Sequence, residues 1–363
     1  MTLIVDSHED IAWNALTFGR DYTFPVAATR LREAGTEIPT HNGQALLGWS
    51  EWLLGRVAVV FATLHAAPIR RQTGAWNSQC YVDSEQAHRL YWNQLEFYHR
   101  LVDEHPEKFR LVLNRGDLRA ALSGWEGEDL AARRVGLVLL MEGADAVRDP
   151  AELPEWYEGG MRMLGPAWTG TRYAGGTREP GPLTPDGRAL LEVMADLGVI
   201  LDLSHMAESG MLEASDRYPG PIIASHANCL ALLPGYPYPE RQMTDLAIRR
   251  LAEHEGVVGV VPYNRFLRAG WERPDGRTGI TLDQVVAHID HVCQLVGDVA
   301  HVGIGSDFDG GFGLDAVPEG LDSVADLRLI GASLGKHGFS QAEVEAVLSG
   351  NWLRLLRRAL PET

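Results

Sequence analysis

Short runs of apolar and β-branched residues alternate with segments whose apolar positions recur every three or four residues, from one end of the chain to the other. The runs are Leu3–Ser7, Val57–Leu64, Val135–Met141, Met161–Ala167, Val199–Ser204, Pro221–Ser225, Val257–Pro262 and Val302–Ser306. Such near-continuous apolar strands predict a parallel sheet buried on both faces. A ninth run, Arg110–Leu113, reads as an accessory strand. Between them, Thr184-Pro185 opens a helix that Gly198 closes, and Thr281/Gln284 and Ser340/Glu343 fit capping boxes. In Ser84–Glu104, Ala87, Leu90, Tyr91, Leu95, Tyr98 and Val102 form one helical stripe, which predicts core packing. Eight strands with intervening helices predict an α/β fold, a distorted (β/α)8 TIM-like barrel. Gly19–Arg56 and His65–Arg134 are too long for simple connections and are expected as insertions over the C-terminal mouth. No repeat or linker divides the chain, so residues 1–363 are expected to form a single domain. An open doubly wound sheet is the alternative architecture.

Composition narrows the partners. The net charge of -17 over 363 residues argues against nucleic acid, because phosphate neutralisation needs a basic surface. It also disfavours docking on anionic lipid. Three widely spaced cysteines give no disulfide framework, and no leader or membrane-length apolar run is evident. The expectation is a soluble cytoplasmic protein, with homo-oligomerisation left open.

The chemistry lies at the strand ends, where barrel enzymes place it. Strand one runs into His8 and Asp10, two apart on extended chain and so on one face. "VGLVLLMEG" ends in Glu142, "VILDLSH" in His205, "PIIASH" in His226, and "HVGIGSDFDG" in Asp307, with Asp309 two residues further on. One such histidine is usually structural, and one acid after a strand is usually a helix cap. Six converging on one mouth need a cation to hold them. Five donors (His8, Asp10, Glu142, His205 and His226) exceed the three protein ligands of a mononuclear catalytic zinc site. Two ions are expected, with Glu142 as the bridging carboxylate. Zinc suits the mixed imidazole and carboxylate donors, and manganese or iron would also be accommodated.

HED at 8–10, MEG at 141–143, LDLSH at 201–205, ASH at 224–226, RQMTD at 241–245 and GIGSDFDG at 303–310 together resemble the renal (membrane) dipeptidase family of metallopeptidases, within the amidohydrolase superfamily. "GNWLRLL" near the C-terminus resembles that family's closing helix. The pieces are short, but they span almost the whole chain in the family's order. The resemblance implies a two-zinc barrel in which His8, Asp10 and Glu142 bind one ion and Glu142, His205 and His226 the other. It implies Asp307 as general acid/base and Arg241 as the clamp on the substrate's terminal carboxylate. The substrate would be a dipeptide or N-acyl amino acid whose amide is cleaved by metal-activated water.

One place departs from the family. Where strand four commonly ends in a substrate-binding histidine, this chain has "LGPAWTGTRY", with Trp168 at that position. Indole donates one hydrogen bond and does not titrate. Arg172 or Tyr173 is a candidate substitute donor, and Tyr263 a further substrate-binding candidate. The competing functions are the same barrel acting on a lactone or phosphoester, and a non-catalytic metal- or ligand-binding barrel.

Overall fold

The computed structural model describes residues 2–362. Eight parallel strands form the barrel wall: β1 (Ile4–Glu9), β2 (Val57–His65), β3 (Val135–Glu142), β4 (Met161–Gly165), β5 (Ile200–Asp202), β6 (Ile222–Ile223), β7 (Val258–Val260) and β8 (Val302–Ile304). They pair in the order β6-β5-β4-β3-β2-β1-β8-β7. The ring closes where Ala224, just after β6, bridges Val258 of β7. Its amide donates to Val257 O at 3.0 Å, and its carbonyl accepts from Gly259 N at 2.8 Å. Closure selects the barrel over the open sheet. Phe109–Leu111 pairs in parallel with the start of β3, as an accessory strand outside the ring.

Several strand limits differ from the hydropathy pattern for local reasons. β1 continues through His8 to Glu9, with its register against β2 shifting between Asp6 and Glu9. β4 stops at Gly165 because Pro166 has no N–H to give the ladder. β6 shrinks to two residues as the chain turns toward His226.

The barrel axis is filled by small residues as well as large ones. The Ser7 hydroxyl donates to Ser225 O at 2.5 Å and lies 2.9 Å from Ile304 O, so it ties three strands together. A β-carbon on Gly259 or Gly305 would lie 2.0 Å from Ser225 O, so only glycine fits at either position. Outside, helix Pro185–Leu197 is capped by Thr184 and ends at a left-handed Gly198, and helix Leu282–Val296 begins in a Thr281/Gln284 capping box.

Helix Ser84–Glu104 buries Ala87, Tyr91, Leu95 and Tyr98, the expected stripe. Its polar atoms reach further than packing. Tyr91 donates to Glu142 O at 2.7 Å, Tyr98 to Thr63 O at 2.9 Å, and Gln94 clasps both backbone groups of His65. The second insertion thus braces the ends of β2 and β3 where they meet the mouth. The first is bound by charge. Arg20 pairs with Asp309 at 3.0 Å and with Glu33 at 2.7 Å, all three buried. Tyr22 donates to Asp309 at 2.9 Å, and Leu46 N donates to it at 2.8 Å.

Candidate active site

The strand ends deliver six side chains to one point. Glu142 Oε1 lies 3.0 Å from His205 Nε2 and 3.3 Å from His226 Nε2, while its Oε2 lies 3.7 Å from His8 Nε2. Asp307 Oδ1 stands 3.9 Å from His8 Nε2. His8, Asp10 and Glu142 form one compact donor group, Glu142, His205 and His226 a second, and His8, His226 and Asp307 a third. All six are buried.

Two of these residues occupy strained backbone. His205 has φ 68° and Asp307 φ 56°, left-handed values that non-glycine residues rarely adopt. Strain of this kind persists where the surroundings over-determine it, and it clusters at functional sites. Hydrogen bonds from the protein orient three of the donors. Thr177 Oγ1 holds His205 Nδ1 at 3.0 Å, Ser225 Oγ holds His226 Nδ1 at 2.8 Å, and Thr63 donates to Asp10 at 2.5 Å. Ser225 Oγ in turn meets Asp202 at 2.5 Å. Outer-shell contacts of this kind fix the tautomer and leave each Nε2 free to bind.

The donor set fits metal ions. His8 Nε2 is sealed from solvent and has no hydrogen-bond partner among the described residues, and His65 Nδ1 is in the same condition. Orphaned buried polar atoms are rare, and a cation among these donors would satisfy the first. The electrostatics agree. Burial opposes a charged His8, but Glu142, Asp10 and Asp307 overcome it and push its pKa up to about 9. Burial and Arg241 press His205 down to about 3. Burial lifts the Asp307 carboxyl well above its ordinary range, helped by Asp10 and Glu142 and opposed by His8 and Arg241.

Above these groups opens a cavity of about 520 Å³, walled partly by both insertions through His41, Arg71 and Trp76. Arg241 is buried on this wall. It donates to His226 O at 2.8 Å and lies 3.8 Å from Asp307. Trp168 and Tyr263 also line it, the latter stacked on Phe312 at 4.1 Å. Arg172 and Tyr173 do not serve the cavity. Arg172 is exposed and bound to Asp186 at 2.7 Å, and the buried Tyr173 hydroxyl donates to Val147 O.

Sequence reasoning missed His65. It is the register partner of Glu142 across β2 and β3, its Nδ1 lies 3.3 Å from Glu142 Oε2, and its ring stands 4.8 Å from Trp168. It directly follows the apolar run Val57–Leu64 and is the last residue of β2. That position was the available signal.

A closed parallel barrel with imidazoles and carboxylates gathered at its C-terminal mouth is the architecture of a barrel metalloenzyme. The family model "Membrane dipeptidase (Peptidase family M19)" matches residues 1–361. The chain belongs to that family, whose members are metal-dependent dipeptidases. An uncharacterized protein in the pqqA 5′ region of Klebsiella pneumoniae is 31% identical over 278 residues, covering 74% of this chain and 95% of that protein. The dipeptidase verJ of Clonostachys rogersoniana is 26% identical over 360 residues, covering 97% of this chain and 83% of its own length. Among solved structures, the dipeptidase AC, a family M19 metallopeptidase, superposes with a TM-score of 0.78 at 25% identity, covering 99% of both chains. No helix among the described residues is long and apolar enough to cross a membrane.

Proposed function

We propose that this chain hydrolyses the amide bond of a dipeptide or N-acyl amino acid at a two-zinc centre. His8, Asp10 and Glu142 would hold one ion, and Glu142, His205 and His226 the other. The observation that carries this reading is the division of Glu142. One carboxylate oxygen faces the His205/His226 pair and the other faces His8, the disposition of a bridging carboxylate. When bound, the ions supply Lewis acidity and lower the pKa of water.

The protein supplies the rest. Asp307, beside His8, would as its carboxylate take a proton from water and, as the resulting acid, return it to the leaving amine. Arg241 would offer its planar fork to the substrate's terminal carboxylate, with Nη1 also donating to His226 O. Trp168 and Tyr263 form apolar walls that orient the chain of the substrate. The buried setting makes each of these interactions stronger than in water.

The test is turnover of a panel of L-Xaa-L-Xaa and L-Xaa-D-Xaa dipeptides and N-acyl amino acids by zinc-loaded protein. Amide hydrolysis that a chelator abolishes and zinc restores is expected. Turnover confined to esters, lactones or phosphoesters would overturn the reading.

A further inference from the structure

The cavity wall carries more positive charge than one terminal carboxylate requires. Arg71, Arg178, Arg241 and Arg265 all line it, in a chain whose net charge is -17. Three of them are engaged by the protein. Arg241 bonds His226 O, Arg265 lies 3.3 Å from Glu272, and Arg71 lies 2.6 Å from Glu179. Glu179 must also answer Arg70 at 2.8 Å, so a single carboxylate there faces two guanidiniums. Arg178 has no carboxylate within ion-pair distance among the described residues. Its guanidinium lies 4.4 Å from the ring centre of Tyr238.

Arg178 is also held in place. Its backbone sits in the left-handed region at φ 67°, directly after Thr177, whose amide donates to His205 O and whose hydroxyl contacts His205 Nδ1. The residue is therefore anchored to the donor cluster at one step's distance. The rings of Tyr238, Tyr236 and Phe266 then connect Arg178 to Arg241. Tyr236 is 6.4 Å from Tyr238 and 6.1 Å from Phe266, over which Arg241 stands at 4.7 Å. Tyr236 feels all three guanidiniums. Burial raises its pKa, and Arg241, Arg265 and Arg178 each pull it back down.

Resting on the dipeptidase reading above, we propose that this wall selects substrates whose C-terminal residue carries an acidic side chain, an aspartyl or glutamyl residue. Arg241 takes the main-chain carboxylate. Arg178, seconded by Arg265 and the Tyr236 hydroxyl, takes the side-chain carboxylate. A neutral amide of the same shape fills the same space but leaves Arg178 without its counter-charge. The selection is thus electrostatic rather than steric, and it weakens as salt screens the exposed Arg178.

The experiment compares Ala-Asp with Ala-Asn and Ala-Glu with Ala-Gln, with both configurations of the second residue, on zinc-loaded protein. The acid of each pair is expected to exceed its amide roughly ten- to a hundredfold in kcat/KM, the size of one charged hydrogen-bonded contact. Arg178→Gln should remove most of that preference and Arg265→Gln part of it, the loss of kcat/KM falling more heavily on Ala-Asp than on Ala-Asn. Equal rates for acid and amide, or a preference that survives in the double variant, overturn the inference and leave the dipeptidase reading standing. If no amide substrate is turned over, the dipeptidase reading falls. Calorimetric binding of the same pairs then decides the inference, with equal affinities overturning it.

Discussion

His205 and His226 turn their Nε2 atoms to within 3.0 Å of each other, and Glu142 Oε1 lies within 3.3 Å of both. Because hydroxyls occupy both Nδ1 positions, the two Nε2 atoms and one carboxylate oxygen share a single small space. An ion coordinated by all three resolves the crowding of lone pairs. On the proposed two-zinc reading, Glu142→Gln should lose one ion, because an amide nitrogen cannot coordinate on the second side. Elemental analysis of chelator-free protein reads the ratio. Two ions retained in the variant would remove Glu142 from the bridge.

Metal uptake should release a proton near neutral pH. In the metal-free chain the His8 pKa is raised to about 9 from an ordinary 6.5, so the ring is charged at pH 7. The charged ring stabilises the metal-free fold fully below 6.5, and that contribution fades as pH rises through about 9. Zinc needs the neutral ring, so zinc affinity should climb with pH over the same interval. Titration calorimetry in buffers of different ionisation heat measures the release. Binding heats independent of the buffer would show His8 already neutral.

Asp307→Asn should keep its metal content and lose roughly 10²- to 10⁴-fold in turnover, the usual contribution of a positioned proton donor and acceptor. A fully metallated variant with an unchanged rate would assign the proton transfer to another group.

Arg241→Ala should discriminate between substrates. Its contacts with His226 O and Asp307 affect all of them, but only a free terminal carboxylate loses a salt link. The kcat/KM for the acid should fall about ten- to a hundredfold more than for the C-terminal amide. Lysine should restore only part, since it lacks the fork. Equal losses on both would leave Arg241 a supporting role alone.

Arg20→Met should destabilise the whole molecule. It strands the buried carboxylates of Asp309 and Glu33, and breaking a buried ion pair from one side costs about 3–5 kcal/mol. Urea denaturation of wild type and variant measures it. A change below about 1 kcal/mol would mean that Tyr22 and the Leu46 amide suffice for Asp309.

The barrel was legible because its strands are buried on both faces and read as uninterrupted apolar runs, each followed within a residue or two by its polar group. LDLSH and ASH show this most clearly: strand and donor are contiguous, so periodicity alone locates His205 and His226. Three-dimensional pairing was not legible in the same way. His65 joined the cluster through the β2–β3 register, which no single segment encodes. Asp309, two residues beyond Asp307, turned out to answer Arg20 rather than the mouth, a partnership spanning almost the whole chain. Arg172 and Tyr173 looked available beside Trp168, but their partners are Asp186, in the first turn of helix Pro185–Leu197, and Val147, in the segment after β3.

The Ser7 hydroxyl, which ties β1 to Ser225 and Ile304, also sets a timetable for biosynthesis. The residue sits on the first strand, and the two carbonyls it joins follow 218 and 297 positions later. Arg20 likewise waits for Asp309 before its charge is answered within the fold. Contacts of such long sequence separation form late and slowly. A nascent chain therefore carries its first two donors, His8 and Asp10, until Glu142 on β3 and then His205 and His226 after β5 and β6 join them, and Asp307 follows only with the eighth strand. With the proton carrier proposed at Asp307 arriving last, hydrolytic competence is one of the last events in making the protein, and a chain stopped before the eighth strand is expected to be inert rather than partly active.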